Sequence, residues 1–153
     1  MTQTYKYYWE DFPAGSSRDF GGITLSQEDI VRFAREFDPQ PFHVDTEAAE
    51  KSVYGGLIAS GWHTCALAMR MMCDTYLLDA ASHGSPGVDH VKWLKPVRPG
   101  DTLRVNLTVL EARPLESKPN IGLVRSQWKV FNQNDECVME MAGLGMFGRR
   151  PTA

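Results

Sequence analysis

Residues 54–80 read YGGLIASGWHTCALAMRMMCDTYLLDA. From Trp62 to Leu78 the helical pattern is apolar almost all the way round, with Arg70, Asp74 and Thr75 as the main interruptions. A helix of that kind is buried or crosses a membrane. Arg70 lies near its middle and no uncharged apolar run reaches the roughly 18 residues of a span, so a membrane crossing is not expected. The segment is expected as a central helix wrapped by other structure.

What wraps it comes later in the chain. GVDHVKWLKPV (87–97) is strand-like and RPGD (98–101) is a turn. In TLRVNLTVLEA (102–112), Leu103, Val105, Leu107 and Val109 alternate onto one face. IGLVRSQWKVF (121–131) puts Val124, Trp128 and Val130 on one face, NQND supplies the next turn, and ECVMEMAGLGMFG (136–148) is a final strand. One buried helix followed by a run of antiparallel strands is an α+β domain with the sheet curled around the helix.

On the N-terminal side, residues 5–12 are aromatic and are expected as a strand or a packing arm. Gly21–Gly22 marks a turn. TLSQEDIVRFAREF (24–37) reads as a helix, capped by Ser26 with Asp29 three residues on. Ile30, Phe33, Ala34 and Phe37 give it one apolar face. Next comes FDPQPFHVD (37–45). Asp38 and Gln40 each precede a proline and are pushed out of the α region, so Asp38 falls just past the helix and His43 sits at a nearly fixed offset from it. Asp45 looks like the cap of a short helix, TEAAEKS (46–52). A carboxylate and an imidazole sharing one site are standard tools for moving protons. The other reading of the pair is a helix-end turn with a structural Asp and a surface His.

The bulk composition excludes several classes. The 153 residues are expected to form one domain, 42% apolar and 23% charged, which is ordinary for a globular protein. A net charge of −3 with no basic block gives no surface for nucleic acid. Cys65, Cys73 and Cys137 lack metal-type spacing and suit reduced core residues of a cytoplasmic protein. No His, Asp and Glu cluster has metal spacing either. MTQTYKYYWEDF (1–12) has no apolar stretch of the signal-peptide kind.

Three segments resemble a known family. DPQPFHVD (38–45) is similar to the D-x-N-P-x-H-x-D motif of MaoC-like dehydratases and (R)-specific enoyl-CoA hydratases, with Gln40 where Asn is usual. GLIASGWHT (56–64) resembles the family's entry to its central helix, with Ser60 where His commonly precedes the glycine. VKWLKPVRPGDTLRV (91–105) looks like its first long strand and turn. The resemblance covers most of the chain and implies the hot-dog fold, a long helix wrapped by an antiparallel sheet. It also implies reversible addition of water across the 2,3 double bond of an enoyl thioester carried on CoA. No cofactor beyond CoA as part of the substrate is expected, and no membrane partner. A homodimer or an assembly of dimers is expected, because family members pair through sheet edges and an unpaired edge invites association.

On this resemblance Asp38 and His43 are the proton-transfer dyad. Imidazole titrates nearest neutrality, which makes His43 the expected base; Asp38 orients the water and helps the second transfer. Gly61 offers its N–H, at a helix start, to the thioester oxygen as that oxygen gains charge. Its other reading is a flexible joint. Ser60 is either a hydroxyl donor to substrate or a helix cap. Lys92, Lys95 and Arg98 form a strip that suits CoA phosphates or, equally, a charged solvated strand edge. His63 is expected as a hydrogen-bonded packing residue, and His83 and His90 have no companions. Met69, Met71, Met72 and Met141 are core filler, some of them bordering an acyl pocket. Two other functions stay open: a hot-dog thioesterase, and a non-catalytic acyl-thioester binding module.

Overall fold

Alternation in the C-terminal half builds a sheet whose inner face is the predicted apolar set. The computed structural model describes residues 3–152. Strands β1 (Ser17–Thr24), β2 (Val88–Trp93), β3 (Thr102–Pro114), β4 (Ile121–Phe131) and β5 (Cys137–Gly148) form one antiparallel sheet in the order β1-β3-β4-β5-β2. Leu103, Val105, Leu107 and Val109 are buried on β3, and Val124, Trp128 and Val130 on β4.

Ahead of the long strands come helices α1 (Gln27–Phe37), α2 (Pro41–Val44), α3 (Thr46–Glu50) and α4 (Gly61–Thr75). The caps are those the sequence indicates. Ser26 Oγ accepts the Asp29 N–H and Asp29 returns the bond to the Ser26 N–H. Asp45 accepts from the Ala48 N–H and opens α3. On α1, Ile30 and Ala34 are fully buried, but Phe37 at its last turn is 66% exposed, so the expected apolar face stops a turn early. The aromatic N-terminus is a packing arm: Trp9 Nε1 donates to the Leu123 carbonyl at 3.0 Å.

Gly21–Gly22 is not a turn. Both residues lie inside β1, where the register against β3 shifts between Gly21 and Ile23. Gly21 has φ +111°, and a Cβ there would come within 2.6 Å of Met71 Sδ on α4. The glycines let the edge strand bulge and pass close over the central helix.

That helix is wrapped on one side. His63, Thr64, Ala68, Met71 and Met72 are buried, while Trp62 and Met69 are 61% and 47% exposed. Trp62, Ala66 and Met69 follow i, i+4, i+7 spacing, so the exposed residues form a stripe. Five strands cover one face of α4; its all-round apolar pattern calls for more than this sheet supplies. Among the described residues no helix is long and apolar enough to cross a membrane, and the three cysteines are free.

Candidate active site

Pro39 ends α1, so Asp38 caps it in a non-helical conformation, its N–H donating to the Ala34 carbonyl at 2.8 Å. Gln40 is extended (φ −69°, ψ 145°), and Pro41 then opens the single turn of α2, a position where its missing N–H has no cost. The turn brings His43 back toward Asp38. The fixed offset set by the two prolines is a short one: His43 Nε2 lies 3.2 Å from Asp38 Oδ2.

The other ring nitrogen settles the tautomer. His43 Nδ1 is 2.7 Å from the Ile58 carbonyl oxygen, which can only accept, so Nδ1 carries the proton. In the neutral ring Nε2 is then a bare acceptor facing a carboxylate oxygen. Phe42 packs edge-on to the His43 ring and the ring is buried. The Ile58 N–H donates to the Phe42 carbonyl at 3.2 Å, so α2 and the segment leading into α4 hold each other in place.

Asp38 has two further partners. Gln40 Nε2 donates to Oδ1 at 2.7 Å, and the Ser60 hydroxyl donates to Oδ2 at 2.7 Å. Burial works to raise the Asp38 carboxyl, but these two donors and the neighbouring His43 outweigh it and bring the group below its ordinary value. Ser60 is fully buried and also accepts the Trp62 N–H at 3.3 Å, so it caps α4 while holding Asp38. Of the two readings for Ser60, the cap is the one its geometry matches; its hydroxyl proton is directed at Asp38 and not into the cleft as a donor to substrate.

Gly61 opens α4, and its N–H belongs to the first-turn donors that have no partner within the helix. A Cβ on Gly61 would lie 2.3 Å from Trp93 Cε2, and Trp93 Nε1 donates to the Gly61 carbonyl at 2.9 Å. The glycine is thus required by an indole packed on it, a reason the sequence reading did not give. Asp38, His43 and Gly61 border one cleft of about 510 Å³, together with Tyr54, Trp93 and Lys95. Nothing in the spacing of VKWLKPV marks Trp93, because the residue it packs on, Gly61, lies 32 residues earlier in the chain.

The basic strip is not one surface. Lys95 borders the cleft and pairs with Glu136. Arg98 donates to the Tyr54 carbonyl at 2.5 Å, tying down the 54–56 turn. Lys92 alternates with Trp93 along β2 and so faces the opposite side of the sheet. His63 packs as expected, stacked on Phe33 at 4.4 Å, but its buried Nδ1 finds no hydrogen-bond partner among the described residues.

The family model of the MaoC-like domain matches residues 11–126, a span that holds Asp38, His43, Ser60 and Gly61. The chain belongs to the MaoC-like domain family. The crystal structure of a MaoC-like dehydratase from Rhodospirillum rubrum is 40% identical with a TM-score of 0.87, covering 95% of this chain and 99% of that one. The uncharacterised protein YdeM of Bacillus subtilis is 31% identical over 131 residues, 86% of this chain and 92% of YdeM. The (R)-hydratase PhaJ1 from Pseudomonas aeruginosa is 25% identical with a TM-score of 0.76, covering 97% of this chain and 90% of that one. The architecture is the hot-dog fold, and the MaoC-like family to which this chain belongs is one of hydratases and dehydratases.

Proposed function

We propose that this MaoC-like chain adds water reversibly across the 2,3 double bond of an enoyl thioester carried on CoA. The observation that carries the reading is the pair of acceptors, His43 Nε2 and Asp38 Oδ2, 3.2 Å apart on one cleft. A single water can donate one O–H to each. As its oxygen attacks the β-carbon, Nε2 takes one proton, and Asp38 holds the other O–H and stabilises the imidazolium. The thioester oxygen gains negative charge and is received by the Gly61 N–H at the positive end of α4. The Nε2 proton then passes to the α-carbon. One water is added, and no proton is gained or lost overall.

We also propose that two copies pair through β2. That strand is a sheet edge whose residues Val88 and Trp93, with Leu94 just beyond, are 53%, 46% and 49% exposed, and it adjoins the bare stripe of α4. The opposite edge, β1, carries Arg18 and Asp19 and exposes no large apolar side chain.

Incubation with crotonyl-CoA tests the reaction. Loss of enoyl absorbance without free thiol is the expected result. Release of thiol would make the protein a thioesterase, and neither change, for this or a longer enoyl-CoA, would leave a binding module.

A further inference from the structure

A second hollow, of about 370 Å³, lies between α4 and the inner face of the sheet. It exists because β4 and β5 turn small there: Ser126 pairs in register with Gly143, and Val124 with Gly145. Its α4 wall is Cys65, Met69 and Met72, with Tyr76 just past the helix end, and these continue the i, i+4 face that Gly61 begins. The hollow approaches the catalytic cleft at its Cys65 end. The Cys65 thiol donates to Met139 Sδ at 3.6 Å, and Thr64 and Val138, the residues just before these two, border the cleft.

Apart from Ser82 and Ser85, which are exposed, the lining is apolar until the Tyr76 end. There Tyr76 and Trp128, 2% and 7% exposed, bring their polar atoms together, and Ser126 lies two residues from Trp128 on the same face of β4. Trp128 Nε1 donates to Tyr76 Oη at 3.5 Å, the outer limit of a hydrogen bond. The Tyr76 hydroxyl proton has no acceptor among the described residues. Burial, opposed by the Trp128 bond, pushes this phenol up to about 12, so it stays an O–H donor. Indole can only donate, whereas the Ser126 hydroxyl can either donate or accept. The Trp128 bond already falls on the Tyr76 oxygen, so what is left over is the Tyr76 proton, and a buried donor without a partner is costly.

We propose that this hollow takes the acyl tail of the thioester and that Tyr76, with Trp128 and Ser126, recognises an oxygen acceptor, a keto or hydroxyl group, carried on that tail away from the thioester. This rests on the acyl-thioester reading above. An unadorned alkyl tail would fill the methionine-lined part and leave the Tyr76 proton without a partner. A tail bearing the oxygen satisfies it.

The test is equilibrium binding of saturated medium-chain acyl N-acetylcysteamine thioesters, plain or with one keto group placed at successive carbons. None of these undergoes hydration, so binding is read apart from catalysis. The wild-type protein should bind at least one keto position about three- to tenfold more tightly than the plain chain, the worth of one neutral hydrogen bond. Tyr76→Phe should abolish that preference while plain-chain binding persists, and Ser126→Ala provides a second variant should Tyr76→Phe fold poorly. Equal binding of plain and keto chains, no binding of either, or a preference that survives both variants would overturn the proposal. Hydration of an unmodified enoyl-CoA, measured alongside, separates the two readings. Activity without a keto preference removes only the tail recognition, and a Tyr76-dependent preference without activity removes only the hydratase.

Discussion

The Ser60 hydroxyl donates to the same Asp38 oxygen that faces His43 Nε2, at 2.7 Å against 3.2 Å. Ser60 and Gln40 are the two positions at which the chain departs from the motifs it resembles, and both donate to Asp38. The departures meet on one carboxylate.

Ser60→Ala should therefore act through Asp38. The folded carboxyl lies below its ordinary value, so its ionisation contributes stability above the unfolded value and loses it as pH falls through the folded one. Removing a donor moves the folded value up. The acid limb of kcat/KM should shift to higher pH, and the melting temperature should fall, since a cap costs about 1 kcal/mol. A pH profile that superimposes on wild type would show that Ser60 only caps α4.

Asp38→Asn and His43→Gln should each lower hydration kcat by roughly 10²-fold or more. Two groups that hold one water act as a unit, so the double variant should be little worse than either single one. Additive losses, or near-wild-type activity in either single variant, would dissolve the dyad.

Gly61→Ala should displace Trp93, whose ring lies 2.3 Å from the added carbon. The first turn of α4 shifts with it, and activity should fall by about 10²–10³-fold, the loss expected when an oxyanion donor is misplaced. Combining it with Trp93→Ala relieves the clash. If stability returns and activity does not, the role of Gly61 goes beyond packing; recovery of both would make it a packing residue alone.

Only one lysine of the former strip borders the cleft. Lys95→Ala should raise KM for a CoA thioester with kcat nearly unchanged, an effect that vanishes with N-acetylcysteamine thioesters, while Lys92→Ala leaves KM as it was. Equal effects from both substitutions would restore the strip as one surface.

Light scattering at micromolar concentration should give a dimer or a multiple of one. Val88→Asp, on the exposed β2 edge, should shift the mass toward the monomer by placing a charge where two apolar edges meet. A wild-type monomer would end the pairing reading.

How much of this was legible in advance depends on range along the chain. Periodicity alone located the inner faces of β3 and β4, because side chains alternate about a strand whatever it pairs with. Pro39 placed Asp38 past its helix, and Ser26 and Asp45 announced their caps, because these effects act within three or four residues. Gly21–Gly22 misled for the same reason. Two glycines fit a turn or a bulge equally well, and only β3, pairing from some eighty residues away, selects the bulge.

The sequence by itself determined the helix, the strands and the carboxylate and imidazole, Asp38 and His43, to which we assign the proton chemistry. The tertiary structure decided what those residues do to one another. Asp38 and Ser60 are 22 residues apart, Gly61 and Trp93 are 32, and Tyr76 and Trp128 are 52. Nothing local joins any of these pairs. Each forms because α1, α4 and the sheet pack around a shared apolar core, and that packing fixes distances that no spacing along the chain encodes.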